Sequence, residues 1–251
     1  MDKSEELFQK RLADLADAAL EKNIVTFTDF MNLNELHIFH TISRKFSFVQ
    51  WKTFGGYGPA ERQIAAFIPD TLYYEWEYPI SVLEIRPLHE KYMDALTHRD
   101  YLGAILNLGI DRGKLGDILV EDCCAYLFCM DTMAEFLMTE LVRVRHTAVL
   151  CKQTAVTEFQ ATLKTERVVG AVASIRLDSV LALAFHGSRS QLVLLIEGGK
   201  VFVNGKLVLS NGYTLKENDM ISVRGMGKFK YLGVSSQTKK GRYYIALEKY
   251  I

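Results

Sequence analysis

The sequence contains few cysteines and few prolines, and it lacks any long apolar run. Its four cysteines form no Cys-x-x-Cys pair and none stands at zinc-finger spacing from a histidine, so we predict buried free thiols and no metal site. No apolar run approaches the roughly 18 residues that span a bilayer, and the opening MDKSEELFQK lacks the apolar centre of a secretory signal. We therefore predict a cytoplasmic protein without membrane insertion.

Proline is confined to one zone, between Pro59 and Pro87. Pro69 and Pro79 bracket the aromatic and acidic stretch DTLYYEWEYP, which favours a domain boundary there. We predict three small domains, over residues 1–76, 77–168 and 169–251.

The formal net charge is zero, because 30 Lys and Arg residues balance 30 Asp and Glu residues. The balance conceals a division along the chain. From residue 170 onward there are 12 basic against 5 acidic residues, and before it there are 18 against 25. A basic end on an acidic chain is typical of nucleic-acid binding.

The first domain is predicted to be a mixed α/β subdomain. Residues 5–22 have the pattern of a helix, and Asn32 with Glu35 forms a capping-box start for a second helix through about Ser43. The run FSFVQWKTF then alternates like a strand.

The central domain is predicted to follow the order βαββαβ. Its strands are PISVLEIRP, LGDILV, CAYLFCM and TAVLCKQTA, and its helices begin at Thr97 and Asp131, the first ending at Gly109. This order is that of a ferredoxin-like fold, which also underlies RNA-recognition domains. The fold class is therefore α+β.

The tail is predicted to begin with two helices and a hairpin. The first helix follows Arg176 and is closed by Gly187; the second is capped by Ser188, with Gln191 completing the capping box. In VFVNGKLV, the Asn-Gly pair favours a tight type I′ turn.

The stretch THRDYLGAILN contains the letters of a protein-kinase catalytic loop. Asn107 lies seven residues after Asp100, whereas the kinase loop places its asparagine five residues after the aspartate, and no DFG or APE motif occurs. Thr97 and Asp100 are better explained as a helix cap. His98 and Arg99 place positive charge at this helix start, where either a second RNA contact or a solvated surface fits.

The stretch GGYGPAER resembles a phosphate-binding loop only superficially. It lacks the lysine of a P-loop and the spacing of a dinucleotide fingerprint. We predict a strand-to-helix turn with Pro59 at the helix start, and no cofactor.

Basic residues recur throughout the tail, with glycines among the later ones. A surface that follows an RNA backbone has this composition, although a merely solvated basic domain has it too. The candidate cations are Arg176, Arg189, Lys200, Lys206, Arg224, Lys228, Lys230, Lys239, Lys240 and Arg242.

The run SIRLDSVLALAFHGSRSQLVLLIEGGKVFVNGKLV resembles the αL RNA-binding module of a small-subunit ribosomal protein, bacterial tyrosyl-tRNA synthetases and many pseudouridine synthases. The matching motifs are RLD, SRS and GKV through VNG. The resemblance implies RNA contacts at Arg176, Ser188, Arg189, Gln191, Lys200, Asn204 and Lys206.

The whole chain is similar to the YlmH family of bacterial RNA-binding proteins. The similarity is carried by LTHRDYLGAILNLGIDRGKLGDILVED, GGYGPAER, ISVRGMGKFK and KKGR. It implies a non-enzymatic protein that binds rRNA and tRNA, with a role on the large ribosomal subunit in translation quality control and a link to cell-division proteins.

Two alternatives remain open. An RNA-modifying enzyme, either a pseudouridine synthase or a methyltransferase, would use the RLD triplet as a catalytic motif, but Asp178 is followed by SVLALA rather than the synthase continuation and no glycine-rich methyl-donor loop appears. A division-complex scaffold would instead use the acidic front half to bind protein.

Overall fold

A computed structural model describes residues 3–89, 95–121, 123–155, 165–238 and 241–250. The chain divides into two compact units, Met1–Thr162 and Leu163–Ile251. The described residues form six α-helices and fourteen strands in three sheets, which confirms the predicted α+β class. The finer division at residues 76 and 168 stays a prediction.

The first unit begins with a three-stranded sheet packed against two helices. The strand order is β1-β3-β2, with both pairs antiparallel. Asn32 and Glu35 form the predicted capping box, since Asn32 Oδ1 accepts the Glu35 amide at 3.1 Å and the Glu35 carboxylate accepts the Asn32 amide at 2.7 Å. The elements are α1 (Lys3–Lys22), β1 (Thr26–Phe27), α2 (Leu33–Ile42), β2 (Gln50–Phe54) and β3 (Ile64–Ile68).

The same unit continues with a five-stranded antiparallel sheet that confirms the predicted βαββαβ order. Its strand order, β5-β6-β4-β8-β7, places the first and third strands of the motif at the centre, as in a ferredoxin-like fold. The short β7 is an addition that the sequence did not predict. The elements are β4 (Ile80–Pro87), α3 (His98–Leu106), β5 (Leu115–Val120), β6 (Ala125–Met130), α4 (Asp131–Glu140), β7 (Arg143–Val144) and β8 (Thr147–Thr154).

The cysteines all lie in this central sheet region and are free, as predicted, although only three are buried and Cys123 is partly exposed. Burial raises the pKa of Cys129 and of Cys151 to about 12. These two thiols therefore stay protonated and act as core residues.

The predicted helix start at Pro59 is wrong, because residues 55–63 form a loop between β2 and β3. The loop is held by Asp117 of β5, whose carboxylate accepts the Tyr57 hydroxyl at 2.7 Å and the Glu61 amide at 2.8 Å. Gly56 has a φ of 96°, and a Cβ there would lie 2.4 Å from the Phe128 ring. Contacts with Asp117 and Phe128, both distant in sequence, therefore determine the conformation of this loop. The local sequence pattern does not.

The second unit is a six-stranded sheet with two helices on one face. The strand order is β11-β10-β12-β13-β14-β9, with every pair antiparallel. The predicted apolar stripe of the first helix, including Leu177 and Val180, is buried in this unit's core. The elements are β9 (Thr165–Val172), α5 (Leu177–Phe185), α6 (Arg189–Glu197), β10 (Val201–Val203), β11 (Lys206–Leu207), β12 (Met220–Val223), β13 (Gly227–Gln237) and β14 (Tyr243–Tyr250).

Two turn predictions in this unit have different outcomes. Asn204 (φ 49°) and Gly205 (φ 75°) both have the left-handed backbone of the predicted tight hairpin turn. Gly187 does not close α5, because His186 (φ 50°) occupies the left-handed C-cap position instead.

Among the described residues, no single helix is long and apolar enough to cross a membrane. Of the described helices, α5 and α6 taken together reach that length and composition, as a pair bent by 119°.

Candidate nucleic-acid interface

Two of the predicted cations, Arg176 and Arg189, meet at the start of α5. Arg176 is the N-cap residue, and its Nε lies 3.3 Å from Asp178 Oδ1. Arg189 opens α6, and its Nη2 donates a hydrogen bond to the Ser179 hydroxyl. The Ser179 hydroxyl in turn donates to Asp178 Oδ1 at 3.4 Å. The buried Asp178–Ser179 pair therefore links the two guanidinium groups.

The backbone amides at this end of α5 are already occupied. The Leu177 amide donates to the Tyr213 carbonyl at 2.8 Å, and the Asp178 amide donates to the Asn211 carbonyl at 3.2 Å. An anion at this helix end would therefore contact the arginine side chains rather than those amides. Both arginine residues are exposed, so both can reach a phosphate.

The start of α6 presents polar side chains next to Arg189. Ser188 caps the helix, since its hydroxyl accepts the Gln191 amide at 3.4 Å, which is the first bond of the predicted capping box. The return bond from the Gln191 side chain is not formed in this described segment. Ser188 and Gln191 are both exposed beside the arginine, and hydroxyl and amide groups are common phosphate contacts.

A second pair of cations, Lys200 and Arg224, is held together by backbone pairing. The Arg224 amide donates to the Lys200 carbonyl at 2.9 Å, so these exposed residues are neighbours at the ends of β10 and β12. The Arg224 guanidinium lies 5.1 Å from the centroid of the buried Phe202 ring. This contact orients the guanidinium while leaving the residue exposed.

Lys228 and Lys230 lie on the sheet face that the helices leave uncovered. They alternate along β13 with Phe229 and Tyr231, which belong to the core under α5 and α6. Both lysines are half-buried, and Lys230 pairs in register with Glu248, which partly balances its charge. The structure thus separates these lysines from the Arg176–Arg189 pair.

Asn204 has a structural role that its sequence motif did not reveal. Its Nδ2 donates to Asp219 Oδ1 at 2.8 Å, and its Oδ1 accepts the Met220 amide at 2.8 Å. These bonds fix the hairpin that carries the exposed Lys206 on β11. RNA contact by Asn204 itself stays a prediction.

Of the remaining candidate cations, Arg242 directly precedes β14. Arg242 is exposed, and its amide donates to the Thr238 hydroxyl at 3.0 Å. Lys239 and Lys240 lie outside the described residues.

The predicted second contact, His98 and Arg99, opens α3 in the first unit. Burial, and then the nearby Arg112 charge, lowers the pKa of His98, so this side chain is neutral at neutral pH. Arg99 is exposed and lines a groove that also contains Arg143 and Arg145. Arg143 and Arg145 were not predicted from the sequence, although the run RVRH at a two-residue hairpin turn was an available signal.

The surroundings of Asp178 bear on the alternative that the protein is an RNA-modifying enzyme using the RLD triplet. Asp178 is 7% exposed, and its carboxylate is bonded to Arg176 and Ser179 rather than open to a substrate. Within the described ranges, no group of three His, Cys, Asp or Glu side chains could hold a metal ion.

Two sequence families match the chain. Residues 74–158 match the family described as "Putative RNA-binding domain in YlmH", and residues 175–221 match the S4 domain. The first match covers the central sheet, and the second covers α5, α6 and the hairpin, with four of the ten candidate cations: Arg176, Arg189, Lys200 and Lys206.

The chain is also similar to two individual proteins. It is 29% identical over 253 residues to the ribosome-associated protein quality control protein P2 of Bacillus subtilis (strain 168), covering 96% of both chains. It shares its fold with the structure of cell division protein ylmH from Streptococcus pneumoniae, with a TM-score of 0.52 and 21% identity over 63% of this chain and 95% of that one.

Proposed function

The chain belongs to the YlmH family and carries a C-terminal S4 domain, and from that premise we propose that it is a non-enzymatic, cytoplasmic RNA-binding protein. Its RNA is structured rRNA and tRNA on the large ribosomal subunit, where it acts in translation quality control. The observation that carries the proposal is the pairing of Arg176 with Arg189 within the segment that resembles an RNA-binding module, and of Lys200 in that segment with Arg224 just beyond it.

The chemistry of these pairs supports phosphate binding. Each arginine is positioned by a neighbour, either Ser179, Asp178 or the Phe202 ring, yet remains exposed. A guanidinium oriented in this way loses less conformational entropy when it binds. Its planar set of N–H donors matches the geometry of a phosphate. Neutralised phosphates release counterions, which gives affinity that falls with salt.

The ribosomal part of the proposal is supported by similarity along the whole chain. The Bacillus subtilis relative is named for ribosome association and quality control, and the match covers 96% of both chains. A relation of that extent covers nearly the whole chain.

A division-complex scaffold is a second candidate function. The first 169 residues carry 18 basic against 25 acidic residues, and the structurally similar Streptococcus pneumoniae protein is titled a cell division protein. Pull-down after nuclease treatment distinguishes the RNA-binding function from the scaffold function. A partner bridged by RNA is lost, whereas a direct protein partner is retained.

The decisive variant is Arg189→Glu combined with Lys200→Glu. Binding of the full chain to purified large ribosomal subunits is expected to weaken at least tenfold, and the slope of log affinity against log salt to fall by about 2, roughly one for each lost phosphate contact. The matched control reverses the charge of Lys216 and Lys249 by substitution with glutamate. These are two cations of the same unit outside the predicted set. Unchanged binding by a folded Arg189/Lys200 variant removes these residues from the interface.

The enzyme alternative is tested separately. Mass spectrometry of nucleosides from rRNA and tRNA incubated with the purified chain is expected to show no new modification. A modified base that depends on Asp178 would overturn the non-enzymatic assignment.

A further inference from the structure

Two aromatic rings on the open face of the central sheet are not available to RNA bases. Domains of this topology stack bases on aromatic side chains of the central strands. On β6, Tyr126 and Phe128 lie on the face away from α3 and α4, because the alternating Leu127 and Cys129 belong to the helix-side core. The two rings could otherwise serve as a stacking platform.

The chain itself covers both rings. Phe128 has no exposed surface and stacks on Tyr57, with 4.8 Å between the ring centroids and 23° between their planes. Tyr126 is 6% exposed, and its hydroxyl donates to Glu84 at 3.1 Å. These two rings therefore cannot serve as a stacking platform for RNA bases.

A candidate RNA-binding surface of this unit lies on the helix side, in a groove between α3 and the β7–β8 hairpin. Arg99 stands on one wall and Arg143 and Arg145 on the other, and we call this the arginine groove. All three residues are exposed. They form a local cluster of positive charge in a stretch of chain, residues 1–169, where 18 basic residues face 25 acidic ones.

The acidic groups of the groove leave its charge positive. Asp100 and Glu140 face the three arginines. The Asp100 carboxylate already caps α3, accepting the Thr97 amide at 2.8 Å and the Thr97 hydroxyl at 2.7 Å. It also lies 3.5 Å from Arg145 Nη1, whose side chain remains 57% exposed. Asp100 thus holds Arg145 towards α3 while leaving it accessible.

Two backbone features indicate that the groove is kept for a ligand. Arg145 has a φ of 52°, a left-handed conformation that glycine or asparagine adopts at lower cost. Gly103 lies inside α3, where glycine weakens a helix, yet a Cβ built there meets nothing within 4 Å. Packing within the protein does not require this glycine, whereas close approach of another backbone would.

We propose that the arginine groove is a second RNA contact, in which Arg99, Arg143 and Arg145 bind the phosphate backbone of structured RNA. The inference rests on the proposed function, since it concerns the same RNA as the C-terminal unit. Arginine forks bind phosphates in bidentate geometry, and open Gly103 allows a sugar-phosphate strand to lie against the helix. Recognition is then of backbone and shape, as expected for paired RNA.

The test compares full-length variants on two probes, purified large ribosomal subunits and a labelled RNA duplex of about 20 base pairs, longer than the roughly 16 that double-stranded RNA modules span. Arg143→Glu combined with Arg145→Glu is expected to weaken binding to both probes about tenfold and to lower the salt slope by about 2. Gly103→Gln, which fills the groove without changing charge, is expected to weaken binding without lowering the melting temperature. The control reverses the charge of Lys10 and Lys152 by substitution with glutamate. Both are exposed cations of the same unit outside the groove.

The outcomes separate this inference from the proposed function. If Arg189→Glu with Lys200→Glu abolishes binding while the Arg143/Arg145 variant binds the duplex with unchanged affinity and salt slope, the groove assignment is overturned and the proposed function stands. Loss of binding to ribosomal subunits alone would assign the groove to an acidic protein and also overturn the inference. If the wild-type chain binds neither probe, the proposed function fails and the groove assignment fails with it.

Discussion

At the scale of single residues, Asp117 shows where sequence patterns stop being informative. Its carboxylate accepts hydrogen bonds from Tyr57, Glu61 and Arg62, all on a loop more than fifty positions earlier in the chain. Nothing in the local sequence marks Asp117 as different from any other strand residue. The capping residues Asn32 and Glu35, by contrast, are three positions apart and could be predicted directly.

Removal of this carboxylate should destabilise the first unit. Asp117→Ala leaves three donors without their acceptor, so the free energy of unfolding is expected to fall by about 2–4 kcal/mol. Both tryptophans, Trp51 and Trp76, lie in this unit, so urea unfolding followed by tryptophan fluorescence reports on it. Asp17→Ala, at an exposed position of α1, is the matched control and should change the free energy by less than about 0.5 kcal/mol. Equal effects of the two substitutions would refute the role given to Asp117.

At the scale of helices and strands, periodicity and turn chemistry predicted most of the fold. The βαββαβ order, the apolar stripe of α5 and the Asn204–Gly205 turn are local patterns, and all are confirmed. The loop at residues 55–63 was missed because contacts with Asp117 and Phe128, distant in sequence, determine it. The cap at His186 was missed because glycine is the usual residue at a left-handed helix end, and Gly187 follows directly. Candidate cations could be identified from the sequence, but their placement at helix starts, at strand ends and on the uncovered sheet face required the structure.

The Asn204–Gly205 turn gives a prediction at this scale. Gly205 has a φ of 75°, so Gly205→Ala should lower the stability of the second unit by about 1 kcal/mol. Gly212→Ala is the control, because a Cβ there meets its nearest atom at an ordinary 3.8 Å and its φ lies outside the left-handed range. Scanning calorimetry of the two variants should show a lower transition temperature for the first alone, and the turn assignment is wrong if both behave alike.

At the scale of the whole molecule, the main feature is a net charge of zero that conceals a basic end and an acidic front. The acidic front limits unspecific attraction to RNA, so binding depends on where individual cations are placed. In the C-terminal unit, Arg176 and Arg189 form one pair and Lys200 and Arg224 form another. RNA binding is therefore predicted to depend strongly on salt, although the chain has no net charge.

The most direct test is the affinity of the full chain for purified large ribosomal subunits across a salt series. Four phosphate contacts from the two pairs predict a linear plot of log affinity against log salt with a slope of about −3.6 or steeper, at roughly 0.9 per contact. Tight binding with a slope near zero, or no binding at low salt, would contradict the claim that these cations hold RNA.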